Sequence, residues 1–150
     1  MESMREPRKG LDYTGIAVVF FCHDGQGNFL FHKRTDKCRD EHGRWDPGGG
    51  AVEFGESLAD ALARELEEEY GVAAEESEYL GFREVRNEQM GRPALWITFD
   101  FKVRVPRDKV IIGNPEKMEL LEWFGNVNDV PQPLHSQLPE CFRKYGDKLR

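Results

Sequence analysis

The sequence predicts an α/β fold of the α+β type, in which several strands flank one strongly marked helix. The chain has 150 residues, 39% of them hydrophobic and 11% aromatic, which is enough for one domain with an apolar core. Short apolar runs typical of strands recur along the chain, whereas helical periodicity is clear in a central and a closing segment. No internal repeat or long linker divides the sequence, so residues 1–150 are expected to form a single domain.

The strands are predicted from runs of β-branched and aromatic residues. TGIAVVFFC, residues 14–22, is almost continuously apolar, as in a strand buried on both faces. The alternation in FLFHKR, residues 29–34, favours a second strand, and the Asp-Gly-rich segment between the two favours a hairpin turn. Residues 1–12 are expected to be a loose, polar lead-in. Further elements are expected downstream: strands within 78–89, 94–105 and 117–125, and an amphipathic helix within roughly 136–149.

The central helix is predicted from its start and stop signals. Ser57 with Asp60 three residues later forms a capping box, and Gly71 stands where a helix would end. At about 100° per residue, Glu65 and Glu69 share the face of the leucines and Glu68 borders it. The helix therefore turns acidic side chains towards the edge of the core.

Clustered carboxylates at a core edge need an explanation, because like charges one turn apart repel and burial enlarges the penalty. A hard divalent cation such as Mg²⁺ removes this penalty and binds phosphates as well. The alternative is an ordinary solvated acidic face, which is common in a chain with 33% charged residues. The glycine-rich approach GGGAVEFGES and the adjacent Arg64 favour the metal-binding interpretation.

Overall charge and cysteine content exclude other classes of protein. A formal charge of −7 and a pI near 5.2 argue against a long nucleic acid as partner, since its phosphates normally bind Lys and Arg. No apolar run is long enough to span a membrane and the N-terminus lacks a signal-peptide pattern, so a cytoplasmic protein is expected. Three widely spaced cysteines indicate neither disulfides nor a zinc site.

Nine residues over a span of 23 match one pattern, G-x5-E-x7-R-E-U-x-E-E-x-G-U, where U is bulky and apolar: Gly50, Glu56, Arg64, Glu65, Leu66, Glu68, Glu69, Gly71 and Val72. This pattern resembles the box of the Nudix family. The similarity in the order of elements covers roughly residues 14–145. One departure is Gly48, which stands where many members have proline before the glycines.

The resemblance implies a mixed β-sheet sandwiched between α-helices. It also implies a pyrophosphohydrolase that uses Mg²⁺, with Mn²⁺ as a substitute, to cleave the diphosphate linkage of a nucleoside triphosphate or nucleoside diphosphate derivative by water attack. The implied metal ligands are Glu65 and Glu69, joined by Glu68 and the Gly49 carbonyl. Arg64 and Glu56 would orient the site.

Two questions stay open at this stage. The general base could be Glu65 or an acid of a late loop, for which Glu116 and Glu119 are the candidates. Positions that mark particular substrates in the family are not matched, and a catalytically silent nucleotide-binding or regulatory domain is the alternative function. Dimers occur in the family, so a homodimer is compatible with the resemblance. Three aromatic residues are candidates for stacking on a base, although strand aromatics more often belong to the core: Phe31, Phe82 and Trp96.

Overall fold

The computed structural model describes residues 5–150, and residues 1–4 lie outside the described part of the chain. Within this part, seven strands and two α-helices follow one another along the sequence. They are β1 (Gly15–His23), β2 (Phe29–Arg34), β3 (Trp45–Asp46), β4 (Gly49–Ala51), α1 (Leu58–Tyr70), β5 (Glu76–Gln89), β6 (Arg92–Arg104), β7 (Met118–Phe124) and α2 (Leu138–Tyr145). No helix between residues 5 and 150 has the length and apolar character needed to cross a membrane.

The seven strands form one mixed sheet with β1 at its centre. β1 runs parallel to β6 along its whole length, from Gly15 opposite Trp96 to His23 opposite Arg104. Its other edge pairs antiparallel with β4 and, at its end, with β2. β5 pairs antiparallel with β6, while β2 also pairs with β3 and β7. The sheet is therefore mixed, as the resemblance implies.

Alternate residues of the central strands supply two cores, one on each face of the sheet. Phe20 and Leu30 pack with α1, whereas Phe21, Phe29 and Phe31 pack with α2. Successive side chains of a strand point to opposite faces, so one apolar run can serve both cores. Covering both faces also explains why Phe29 to His32 are all buried, although alternation between buried and exposed residues was expected there. The predicted sheet between two helices is confirmed.

Two short strands were not predicted from the sequence. β3 and β4 lie in the segment 35–56, which was interpreted as one long connection. They contain two and three residues, and the second is Gly-Gly-Ala, so neither has a periodic apolar pattern. The closing helix is shorter than expected and covers Leu138–Tyr145.

The described part of the N-terminal lead-in contacts the sheet. The Leu95 amide donates a hydrogen bond of 2.9 Å to the Gly10 carbonyl. The Lys9 ammonium lies 2.7 Å from the Glu53 carboxylate, in the loop before α1. Residues 9 and 10 thus join the N-terminal segment to β6 and to the loop that leads into the acidic helix.

Candidate active site

Helix α1 is fixed at both ends by contacts that the sequence signals indicate. The Ser57 hydroxyl accepts a hydrogen bond of 3.0 Å from the Asp60 amide, as the capping box predicts. Gly71 has a φ of 68° and its amide donates to the Glu67 carbonyl at 2.9 Å. Beyond it, the Gly113 amide donates to the Glu69 carbonyl at 2.8 Å. These contacts set the position of the acidic face.

Arg64 and Glu56 connect α1 to the loop that precedes it. Two hydrogen bonds of 2.8 and 2.9 Å join the guanidinium to the Glu56 carboxylate, and a third of 3.0 Å reaches the Ala51 carbonyl. The hydrogen bonds from Arg64 lower the pKa of Glu56 to about 2, and those from Glu56 raise the pKa of Arg64. This geometry suits the orienting role that the resemblance implies for the pair.

Glu65 lies at the rim of the core, where its side chain is 13% exposed. Its Oε1 accepts a hydrogen bond of 2.7 Å from Arg64. Burial raises the pKa of Glu65, and the neighbouring carboxylates of Glu68 and Glu56 add to this rise, against the opposing effect of Arg64. A Cβ atom on Gly50 would lie only 2.2 Å from the Glu65 Cδ. The absence of a side chain at Gly50 therefore makes room for this carboxylate.

Glu69 lies on the same helix face as Glu65, against the glycine-rich loop, a name used here for residues 48–50, of which the last two begin β4. The Gly49 amide donates a hydrogen bond of 3.2 Å to its Oε2. Burial raises the pKa of Glu69 well above its usual range, and the charges of Asp46 and Glu65 add to this effect. Gly48 has a φ of 121°, and a Cβ there would lie 2.7 Å from Glu69 Oε2. The departure from proline at this position thus fits a left-handed backbone beside the carboxylate.

The glutamates are close neighbours, but their side chains do not converge on one point. Glu68 is 58% exposed, and its carboxylate lies 3.5 Å from Arg64. Across residues 5–150, no three His, Cys, Asp or Glu side chains are gathered closely enough to hold a metal ion as they stand. The donor set nevertheless fits a hard cation, since two carboxylates with raised pKa values face a loop whose glycines leave space for them.

A cavity of about 560 Å³ opens beside these carboxylates. Its lining includes Glu65, Glu68, Glu69 and the three glycines of the loop, and it continues over β1, β6 and β5 towards α2. The cavity therefore brings the residues of the box together with side chains from distant parts of the chain. Volumes of several hundred Å³ are typical of sites for small molecules.

Asp46 is an acidic residue of this cavity that sequence reasoning missed. Burial disfavours its charge, but His135, His32 and Arg34 together hold the pKa of Asp46 below its usual value. Arg34 donates to it at 2.9 Å. Asp46 is separated from the glycines by Pro47 and is not part of the box, and its pairing with His32 of β2 turns it towards the cavity.

A buried hydrogen-bond chain holds the glycine-rich loop in place. The Tyr70 hydroxyl donates to the Pro47 carbonyl at 2.7 Å and lies 2.6 Å from His32 Nδ1. Because the Tyr70 hydroxyl donates its proton to the Pro47 carbonyl, it acts as the acceptor towards His32. Nδ1 is therefore the nitrogen that carries the proton of the neutral imidazole. Burial lowers the pKa of His32 to about 4, so the ring is neutral near pH 7.

The two late-loop candidates for a general base lie outside the cavity lining. Glu116 is exposed, and its backbone carbonyl accepts a hydrogen bond from the Thr35 hydroxyl. Glu119 is also exposed, but it lies in β7 and not in the loop before it, and it pairs with Lys33 at 3.5 Å. The late loop does contribute to the lining, through Asn114 and Lys117, and so does Met118 at the start of β7. The structure thus brings Glu65, but neither late-loop glutamate, to the cavity.

The part of the cavity near α2 contains a buried ion pair. Arg83 donates to both oxygens of Asp100 at 2.7 and 2.8 Å, and the Tyr145 hydroxyl donates to Asp100 at 2.7 Å. Of the three aromatic residues considered for stacking, Trp96 lines the cavity. Phe31 is buried in the core against α2, and Phe82 is exposed on β5 without lining the cavity.

The fold and the site define a class of small α+β proteins in which one helix presents carboxylates to a cavity on a mixed sheet. The model of the NUDIX domain matches residues 13–145. The chain therefore belongs to the Nudix hydrolase family.

Relatives and solved structures support this assignment. An RNA pyrophosphohydrolase of Ruthia magnifica subsp. Calyptogena magnifica is 30% identical over 97 residues, which cover 63% of this chain and 49% of the relative. The 8-oxo-dGDP phosphatase NUDT18 of Mus musculus is 28% identical over 131 residues, which cover 86% of this chain and 36% of the relative. The matched part thus spans half or less of each of these two proteins. A crystal structure of a MutT NUDIX hydrolase from Burkholderia pseudomallei matches with a TM-score of 0.75 at 26% identity, covering 87% of this chain and 96% of that one.

Proposed function

We propose that the chain is a divalent-metal-dependent pyrophosphohydrolase that cleaves the diphosphate linkage of a nucleoside triphosphate or nucleoside diphosphate derivative. Water attacks phosphorus, one P–O bond of the linkage breaks, and two phosphorylated products form. The observation that carries the proposal is that two half-buried carboxylates, those of Glu65 and Glu69, line the cavity. Both belong to a box in which every specified position is matched. The two relatives described above, named as a pyrophosphohydrolase and a phosphatase, support the same reaction class.

The residues that would hold the metal are Glu65 and Glu69, with Glu68 and the Gly49 carbonyl. These are oxygen donors, which suit Mg²⁺ and also Mn²⁺. When bound, the ion would neutralise charge on the diphosphate and make a water molecule more acidic. Arg64, which contacts Glu65 and Glu68, would keep these carboxylates oriented and limit their repulsion.

Glu65 is also our choice for the proton acceptor. It lines the cavity, whereas Glu116 and Glu119 do not. Arg64 engages only its Oε1, so Oε2 is available to accept the proton of the attacking water. Arg64 and Glu56 act as positioning residues, because their hydrogen bonds join the helix to the loop before it.

Charge and cavity size support a small nucleotide as the substrate. The net charge of −7 disfavours a long nucleic acid, while a diphosphate can approach carboxylates that share a cation with it. We further propose that the protein is cytoplasmic, that it does not bind membranes and that it can form a homodimer. Measurement of the molar mass in solution would decide the oligomeric state.

One observation favours a second function, that of a nucleotide-binding domain without turnover. In residues 5–150 the carboxylates do not converge as they stand, so assembly of the metal site requires side-chain movement. A domain in which this movement fails would bind nucleotide and release it unchanged. All four glutamates of the box are present, which favours hydrolysis.

A substrate panel separates the two functions. The protein is incubated with Mg²⁺ and, in turn, dGTP, oxidised dGTP, ADP-ribose, a diadenosine polyphosphate and a triphosphate-terminated RNA oligonucleotide. We expect metal-dependent cleavage at a diphosphate linkage of at least one compound, measured by chromatography of the products. Binding without turnover of any compound would contradict the hydrolase proposal and support the binding domain.

A further inference from the structure

The cavity extends across the sheet from the carboxylates to a second group of polar side chains. One row of paired residues runs from Ala51 on β4 through Ala17 and Thr98 to Arg83 on β5, and all four residues line the cavity. Three inter-strand steps of about 4.8 Å separate β4 from β5, or roughly 14 Å. A nucleoside diphosphate has this length, so a ligand with its phosphates at Glu65 would place its base near Arg83.

The charge of Arg83 is already compensated by Asp100. The pair shares two hydrogen bonds, and Asp100 is 0% exposed, so a ligand in the cavity meets the guanidinium and not the carboxylate. Such a neutralised pair has little net attraction for another phosphate. A guanidinium has five N–H donors, and the Asp100 and Gln137 bonds use three of them. The remaining N–H groups are available to an uncharged acceptor.

Gln137 adds further donors beside Arg83. Its Oε1 accepts a hydrogen bond of 3.3 Å from Arg83 Nη1. Because a guanidinium group can only donate hydrogen bonds, the amide oxygen of Gln137 is the end that faces Arg83. The NH₂ group therefore points away from the guanidinium. Gln137 also lines the cavity, as does the buried Thr98. Arg83, Thr98 and Gln137 therefore form a donor-rich pocket, beside the apolar side chains of Val19 and Val85.

We propose that this donor-rich pocket binds the base of the nucleotide through its carbonyl edge, and that it selects keto bases over amino bases. Guanine and uracil present an oxygen acceptor where adenine and cytosine present an NH₂ donor. An amino group aimed at Arg83 and Gln137 would bring donors face to face and leave all of them unpaired. The inference rests on the proposed function for the position of the phosphates, and it assigns the specificity-determining residues of that site.

Equilibrium binding tests the pocket without requiring turnover. Calorimetry with Mg²⁺ would compare non-hydrolysable α,β-methylene diphosphates of guanosine and uridine with those of adenosine and cytidine. Good base contacts discriminate by about 1–3 kcal/mol, so we expect roughly 5- to 150-fold tighter binding of the keto bases. Equal affinity for all four bases, or no binding of any, would overturn the inference.

Gln137→Glu is the sharper variant, because its carboxylate can still accept from Arg83 while the NH₂ donors are lost. The ratio of keto-base to amino-base affinity should fall by about tenfold or more. Gln26→Glu makes the same change in the exposed turn after β1 and should leave the ratio unchanged. An unchanged ratio in Gln137→Glu would contradict the assignment to Gln137.

Hydrolysis assays distinguish this inference from the proposed function. A keto-base preference in binding, with no hydrolysis of any nucleotide, would support the pocket and contradict the pyrophosphohydrolase. Hydrolysis of a nucleotide with no base preference in binding would support the pyrophosphohydrolase and contradict the assignment of the donor-rich pocket.

Discussion

Glu65 and Glu69 carry the central physical problem of the molecule, which is how two carboxylates can lie close together at the edge of a core. Their pKa values are raised because burial disfavours the charged form, and each adds to the electrostatic cost of its neighbours. Only Glu65 has a cationic hydrogen-bond partner, Arg64, among the contacts described above. Without a cation, the burial and mutual repulsion of the two carboxylates destabilise the folded protein. With a cation bound, the same carboxylates can serve as its ligands.

Glu65→Gln and Glu69→Gln should each lower the rate of hydrolysis by orders of magnitude, because the amide keeps the shape but loses the ligand charge. In metal-free buffer the melting temperature should stay level or rise, since a destabilising charge has been removed. Both rate and melting temperature can be measured on the same preparations. Glu67→Gln, on the exposed side of the same helix, is the matched control and should retain activity. Near-normal rates in the two test variants would refute their assignment as metal ligands.

Gly50→Ala tests the space that the loop leaves for Glu65. The added methyl group would lie 2.2 Å from the Glu65 Cδ, so the carboxylate must move, and we expect at least a tenfold loss of kcat. Gly125→Ala is the control, because its Cβ would meet no atom closer than 3.6 Å. Comparable activity of the two variants would show that the position of Glu65 does not depend on this contact.

Among the elements, α1 was predicted almost completely and the late loop was not. The capping box, the C-terminal glycine and the apolar periodicity are all local signals, and each corresponds to an observed contact. The position of Glu116 depends on how the loop before β7 packs against α1, and that of Glu119 depends on the pairing of β7 with β2. No local signal records either. Asp46 escaped notice for the same reason, because its direction is set by pairing with β2.

Ser57→Ala should destabilise the protein by about 1 kcal/mol, because the Asp60 amide loses its capping acceptor. Urea unfolding measures this change directly. Ser77→Ala, at an exposed position of β5, should change the free energy of unfolding by less than about 0.5 kcal/mol. Equal effects of both substitutions would mean that the cap contributes nothing specific.

On the scale of the whole molecule, the two cores and the buried hydrogen-bond networks hold the loop and the helices around one cavity. The sandwich could be expected from the resemblance, and the two-sided burial of β1 could be predicted from its continuous apolar run. The networks could not, because His32, Tyr70 and Pro47 are far apart in sequence and meet only in the folded chain. The same holds for Arg83, Asp100 and Tyr145.

His32 should make stability depend on pH. Its pKa falls from 6.5 to about 4 on folding, so the unfolded state binds more protons between these values. The stabilising contribution of the neutral ring is therefore present above pH 6.5 and is lost as pH decreases towards 4, by up to about 3 kcal/mol. Unfolding free energies from pH 4 to 7 should show a weaker pH dependence in His32→Gln than in the wild type. Identical profiles for the wild type and His32→Gln would contradict this prediction.

Metal binding is the most direct test of the central claim that the carboxylates of α1 hold a divalent cation. Mn²⁺ is titrated into the metal-free protein, with and without a non-hydrolysable nucleotide, and free Mn²⁺ is followed by electron paramagnetic resonance. We predict saturable binding to the wild type, strengthened by the nucleotide and lost in the double variant Glu65→Gln/Glu69→Gln. Absence of binding to the wild type under both conditions, or equal binding to the double variant, would contradict the account.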